Sequence, residues 1–192
     1  PIMMSNALHD SVKTWTQAGA KVTSQSVAQG FGQVSAEAGP EAVIANKTIF
    51  IGEDPFTMYL LVFFALGKPG VARLNGGSRL KSADLGALRN TLPLFGARLA
   101  HVVPRSQGLP ANLECSGEIP PHVLVPAELP QEAVSALLLA PLVWSVPVTL
   151  DLSALPAATA TAALAEVRPM HRDCGADIDT YGPRIVYTPG PV

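Results

Sequence analysis

Apolar residues recur at helical spacing in three stretches of the chain: Leu8, Val12 and Trp15; Leu85, Leu88, Leu92 and Phe95; Leu164, Val167 and Met170. Each stretch runs into a quartet of one form, Gly-Ala-charged-aliphatic, at Gly19-Ala20-Lys21-Val22, Gly96-Ala97-Arg98-Leu99 and Gly175-Ala176-Asp177-Ile178. The quartets lie 77 and 79 residues apart. Glycine closes a helix at low cost because the position after the last turn favours φ > 0, so each quartet predicts a helix end followed by a strand. Short apolar runs at 48–51 and 122–125 read as buried strands, bounded by Gly52-Glu53-Asp54-Pro55 and by Pro126. Each precedes a stretch that is apolar nearly all round, 56–66 and 130–142, the pattern of a helix buried inside a domain. Strands are then predicted at 71–74 and 146–152, and after the Gly-Ala quartets at 97–102 with 112–115 and at 176–178 with 184–187.

The resulting unit is β-α-β-α-β-β. It is predicted whole at about 48–116 and 121–188, and residues 1–35 supply only its closing half. Turn-rich joints at 104–110 and 117–121 are too short to be linkers between independent domains. Helices that are apolar on every side need neighbours on every side, so the expected fold class is α/β, one domain over 1–192 with helices packed centrally and sheets outside.

Charge and composition narrow the function classes. Lys and Arg number 13 against 15 Asp and Glu, a net charge of −2 with no basic cluster, which argues against nucleic acid as a partner. Mean hydropathy is +0.29, yet the longest apolar run, 133–150, is broken by Ser135, Pro141, Ser145 and Pro147, and 59–66 is too short to cross a bilayer; no membrane span is expected. The first residues carry no basic segment of a secretory signal, and Cys115 and Cys174 are too few for a disulfide scaffold, so a reducing, cytoplasmic setting is expected. His9, His101, His122 and His171 have no carboxylate or second histidine at metal or catalytic spacing; no metal and no cofactor are expected. Ser135 lacks a Gly-x-Ser-x-Gly turn and Asn75-Gly76-Gly77 is too short to cradle a phosphate chain.

The segment Asn75-Gly76-Gly77-Ser78-Arg79-Leu80-Lys81, followed by a helix ending Leu94-Phe95-Gly96-Ala97, resembles the enolpyruvyl transferase family, where a strand leads into Thr/Ser-Gly-x-x-Arg-Met/Leu-Lys and an amphipathic helix. The run from Pro130-Gln131 through Ser135-Ala136-Leu137-Leu138 to Ala140-Pro141-Leu142 is similar to the family's Ser-Ser-Gln-x-x-Ser/Thr-Ala-Leu-Leu-x-Ala-Pro-Leu segment, and Gly52 and Met58 match its Gly-Asn-Ala-Gly-Thr-Ala-Met-Arg loop. The resemblance extends over nearly the whole chain. It implies one of the family's two lobes, with a second lobe or a second copy as partner and the ligands, a shikimate-type cyclic acid and phosphoenolpyruvate, held between them.

By the same resemblance Arg79 corresponds to an arginine that binds the phosphoenolpyruvate carboxylate or phosphate, a role suited to a planar guanidinium fork, Lys81 occupies the neighbouring basic position, and Gln131 corresponds to a glutamine lying against the sugar-acid ring. Other positions depart from the pattern. Leu129 and Pro130 replace two serines that bind phosphate, Glu53 and Pro55 replace an Asn and a Gly, Tyr59 replaces an arginine, and the Ser-Lys-Pro-Tyr expected around 160–163 is missing. Three or four lost donors to charged groups, at about 1.5 to 3 kcal/mol each, remove roughly 5 to 10 kcal/mol of binding. That corresponds to about 10³ to 10⁷ in affinity, so unaided transferase turnover is not expected.

Each retained residue also has a plainer reading. Arg79 and Lys81 suit the start of a solvated helix with Asp84 as counter-charge, and Gln131 suits a first-turn position. Three functions follow: a diverged enolpyruvyl-transferase-like lobe for a carboxylate or phosphorylated small molecule, a non-catalytic binding or scaffold domain of the same fold, or a lyase or isomerase for a non-phosphorylated carboxylate ring using Glu53, Asp54 or Tyr59 as acid or base.

Overall fold

A computed structural model describes residues 20–27, 31–38, 47–144, 146–174 and 178–188. Strands β1 (Ala20–Val27) and β2 (Phe31–Ala38) form an antiparallel hairpin, in register from Ala20 opposite Ala38 to Val27 opposite Phe31. The pair begins at the alanine of the first Gly-Ala quartet; Gly19 and the stretch holding Leu8, Val12 and Trp15 lie outside the described residues.

The next unit contains β3 (Thr48–Phe50), helix α1 (Pro55–Ala65), β4 (Gly70–Asn75), the single turn α2 (Ser78–Lys81), α3 (Gly86–Thr91) continued as a 3₁₀ turn over Leu92–Phe95, then β5 (Ala97–His101) and β6 (Ala111–Cys115). The last unit contains β7 (His122–Leu124), α4 (Gln131–Leu139) continued as a 3₁₀ turn over Ala140–Leu142, β8 (Val148–Asp151), α5 (Ala157–Asp173), β9 (Asp179–Tyr181) and β10 (Arg184–Tyr187). Their sheets have one topology. The orders are β3-β4-β6-β5 and β7-β8-β10-β9, with the first pair parallel and the rest antiparallel.

The elements follow from their residues. Asp54 and Pro55 start α1 as N-cap and first helical residue. Gly96 has φ 63 and its N–H closes on the carbonyls of Leu92 and Pro93, the left-handed cap that the Gly-Ala quartet predicts. The helix expected at 130–142 tightens to 3₁₀ where Pro141, which lacks an N–H, interrupts the ladder. Of the strand expected at 176–178, residues 176 and 177 lie outside the described residues, and the strand described there is Asp179–Tyr181. Its place is set by the tight turn at Gly182 (φ 63), which pairs Tyr181 with Arg184.

The core lies between the sheets, where α1 and α4 pack on each other and α4 on α5. Most of α1 and all of α4 beyond its first two residues are buried. Phe63, Phe95 and Trp144 form a ring cluster, with centroids 6.4 Å and 5.8 Å apart, that joins the two units, and the buried Trp144 Nε1–H donates to the Phe63 carbonyl at 3.0 Å. That bond has a directional meaning. Trp144 follows the end of α4, and Phe63 lies near the end of α1, so the bond ties the carboxy-terminal ends of the two packed helices together.

Candidate functional site

Two loops follow the parallel strands β3 and β4, and backbone bonds tie them together: Ile51 N–H to Asn75 O at 2.9 Å and Gly77 N–H to Gly52 O at 2.7 Å. The second unit repeats the first tie, with Val125 N–H donating to Asp151 O at 2.9 Å. On this frame Asp54 caps α1, accepting from the Thr57 N–H at 2.8 Å and the Thr57 hydroxyl at 2.5 Å.

Glu53 reaches across to the neighbouring loop. One carboxylate oxygen accepts from the Ser78 N–H at 2.8 Å and the Ser78 hydroxyl at 3.2 Å, and the other from the Arg79 N–H at 2.6 Å. These bonds, the Arg79 N–H foremost, hold the Glu53 carboxyl below its ordinary range against a partial desolvation, and the charge of Lys81 adds to the effect. Gly77 makes the approach possible, because a Cβ there would collide with the Glu53 carboxylate. The chain's own carboxylate therefore takes the N–H groups that open α2.

Arg79 and Lys81 are exposed on α2, and among the described residues neither guanidinium nor ammonium makes a hydrogen bond or ion pair. Asp84, the expected counter-charge, is engaged elsewhere. It accepts from Gly86 N–H at 2.8 Å and, with the amide nitrogen of Gln107 turned toward it, from that side chain at 3.3 and 3.2 Å. The loop 102–110 braces this segment from the other side through Leu109 N–H to Leu80 O and Leu85 N–H to Gln107 O, both 3.0 Å, and His101 Nδ1 lies 3.0 Å from the Gly108 carbonyl.

The second candidate segment is the start of α4. Leu129, where a hydroxyl donor was expected from the resemblance, is a core residue only 3% exposed. Pro130 is the N-cap and supplies no side-chain acceptor, while its carbonyl receives the N–H groups of Ala133 and Val134 at 2.9 and 3.0 Å. Gln131 and Glu132 are exposed in the first turn. On α1, Tyr59 is 7% exposed. Burial first, then the carboxylates of Glu132 and Asp84, push its hydroxyl above the ordinary tyrosine value.

Sequence reasoning named Glu53, Asp54, Tyr59, Arg79, Lys81 and Gln131, and the first five are carried by the loops and helix starts that follow β3 and β4. Asp84 and Gln107 were not singled out as site residues, and only the folded arrangement brings Gln107 to Asp84. The remaining chemistry-bearing groups lie elsewhere. His171 is buried, with Nε2 2.8 Å from the Leu138 carbonyl, and Ser135 donates to Glu166 at 2.7 Å between α4 and α5. Cys115, pushed up to about 11 by burial, lines an open groove of about 560 Å³ with Val71, Arg98 and Glu114, at the end of the first sheet away from the Asn75 loop. Among the described residues no group of three or more His, Cys, Asp or Glu is placed to hold a metal ion, and no helix is long and apolar enough to cross a membrane.

Solved structures with this fold exist. EPSP synthase from Acinetobacter baumannii matches 95% of this chain with 39% of its own, at a TM-score of 0.65 and 15% identity. A second structure of EPSP synthase from that organism gives a TM-score of 0.62 at 15% identity, over 97% of this chain and 39% of the other. The enolpyruvyl transferase NikO from Streptomyces tendae matches at a TM-score of 0.56 and 21% identity, over 92% and 38% of the two chains. The chain therefore has the fold of one portion of these enzymes and spans less than two-fifths of their length. No family model and no curated protein sequence matches it.

Proposed function

We propose that this chain is a diverged enolpyruvyl-transferase-like lobe, a single domain over 1–192 built from a closing half-unit and two full units. It contributes half of a binding site for a shikimate-type cyclic acid and a smaller phosphoenolpyruvate-like anion. The observation that carries this reading is the shared fold over nearly the whole chain, with Arg79 and Lys81 on the loop after β4 and Gln131 at the start of the neighbouring central helix. Arg79 and Lys81 supply charge for the carboxylate of a ligand, and Gln131 supplies an amide to the ring. Because the chain spans 39% of its structural relatives, the other wall of the site comes from a second lobe or a second copy. The free thiols of Cys115 and Cys174 fit a cytoplasmic setting.

Calorimetric titration with shikimate, shikimate 3-phosphate and phosphoenolpyruvate, alone and with a lobe of the missing type supplied, tests the reading. Heat of binding that Arg79→Ala reduces about tenfold or more supports it, in line with a lost charge-assisted contact. No heat from any of the three, with or without the added lobe, overturns it.

One observation favours a second reading, a binding domain without chemistry. Glu53 already satisfies the Ser78 and Arg79 N–H groups that an incoming anion would otherwise meet. Ligand binding without enolpyruvyl transfer in the two-lobe assembly would decide for this alternative.

A further inference from the structure

We propose that His171 is a proton-operated latch: uncharged, it fastens the last turn of α5 to α4 and β10, and protonated it releases that turn while the rest of the fold stays closed. The inference is independent of the function proposed above.

The surroundings of the ring set its protonation state. His171 is 2% exposed, and its Nε2 lies 2.8 Å from the Leu138 carbonyl near the end of α4. A carbonyl only accepts, so Nε2 carries the ring proton and Nδ1 is the bare nitrogen. Nδ1 is itself buried and has no partner among the described residues. The ring also meets Tyr187 of β10 edge-on, with centroids 6.4 Å apart.

A second proton therefore puts a charge and an unsatisfied N–H into the interior. The ionisable groups of the packed elements give no relief. Glu132 stands in the first turn of α4, at the opposite end from Leu138, and Arg184 of β10 is paired with Asp151. Tyr187 stays protonated, raised by burial and then by Cys174. On α5 itself Glu166 accepts from Ser135, while Arg168, Arg172, Asp173 and the Cys174 cap are exposed. Desolvation, countered only in part by the Leu138 bond, holds the ring's proton affinity below the ordinary histidine value.

The helix that carries the ring is built to part at one point. Ala163, Val167 and His171, each four residues apart, form the buried stripe of α5. Pro169 lies within the helix and has no N–H, so the Ala165 carbonyl goes without its helical bond there. From Pro169 to Asp173 the one buried residue is His171, whereas the part before the proline keeps Ala163, Val167 and the Ser135 to Glu166 bond at 2.7 Å. Protonation removes the single anchor of the last turn and leaves the others. A buried neutral histidine contributes fully above about pH 6.5 and loses its hold as pH falls toward the lowered folded value, so the latch is shut at neutral pH and opens in mild acid.

The test is amide hydrogen exchange on the full chain, followed by NMR between pH 7.5 and 5.5 with the intrinsic pH dependence of exchange divided out, alongside titration of the His171 ring itself. The Cys174 N–H closes on the Met170 and His171 carbonyls, both at 3.1 Å. Protection of Arg172 to Cys174 is expected to fall about tenfold over that range, in step with the ring's protonation, while Val134 to Leu139 of α4 changes by less than about twofold. His171→Gln, which keeps an amide donor for Leu138 and takes up no proton, should hold the protection constant with pH. Protection of the last turn that ignores pH, a fall shared equally by α4, or the same fall in His171→Gln overturns the inference. Should the variant fail to fold, the wild-type ring decides: protonation of His171 with the last turn still protected overturns it, and protonation concurrent with the loss supports it.

Discussion

Glu53 shows how much a single side chain decides here. Its carboxylate spans Ser78 and Arg79, 25 and 26 residues away, and so joins the loops after β3 and β4 beyond their backbone ties. In the sequence it reads as a departure from a loop pattern and a possible acid or base; nothing local reveals that Gly77 leaves room for it, because that contact forms only when the two loops are brought together. Leu129 is the converse case, since a residue that reads as a lost hydroxyl is a filled core position. Glu53→Gln should leave the fold intact and raise amide exchange at Ser78 and Arg79 by about three- to tenfold at pH 7, as charge-assisted bonds become neutral ones. The depressed pKa sets the pH dependence. Its stabilising effect is present above the ordinary carboxylate range and is lost as pH falls through the lowered folded value, so wild type and variant should converge in acid. Exchange unchanged by the substitution at neutral pH would remove the bracing role.

At the scale of elements, what proved legible in the sequence were glycines and continuous apolar runs. Gly96 adopts the left-handed cap, and α1 and α4 are buried on almost every side, because both features are encoded within a few consecutive residues. The facing of α5 was less legible. Leu164, Val167 and Met170 recur at helical spacing; Val167 is buried and Leu164 packs against the core, but Met170 is 42% exposed and Ala163 and His171 complete the buried face. The alanine-rich helix offers no strong apolar contrast, and the choice of face falls to α4, whose Leu138 carbonyl receives the His171 ring and whose Ser135 bonds Glu166. His171 also packs edge-on to Tyr187, at 6.4 Å between centroids, and among the described residues its Nδ1 has no partner. Burial lowers the His171 pKa, chiefly by desolvation and partly offset by the Leu138 bond. A histidine held neutral in the fold favours unfolding once the unfolded chain can bind its proton, so this contribution is present above about pH 6.5 and declines as pH falls toward the lowered folded value. Urea unfolding between pH 7.5 and 5.5 should show that decline, and His171→Leu should flatten it; an equal slope in both proteins would contradict the assignment. Glu53, with a lowered carboxylate pKa, and Asp151, held at about 2 mainly by Ser153 and further by Arg184, act below that window.

For the whole molecule, two four-stranded sheets of one topology flank central helices, and the segments after β3, β4 and β7 carry the basic, amide and phenol groups named above. The groove at Cys115 lies at the other end of β4 and offers an unreactive thiol beside an Arg98–Glu114 pair at 2.7 Å. Amide resonances of the full chain, followed by NMR while shikimate is added, therefore test the central claim most directly. The account predicts that Ser78 to Lys81 and Gln131 shift together along one binding curve. Shifts restricted to the Cys115 groove, shifts of α2 without the start of α4, or none at all with the missing lobe supplied would contradict it.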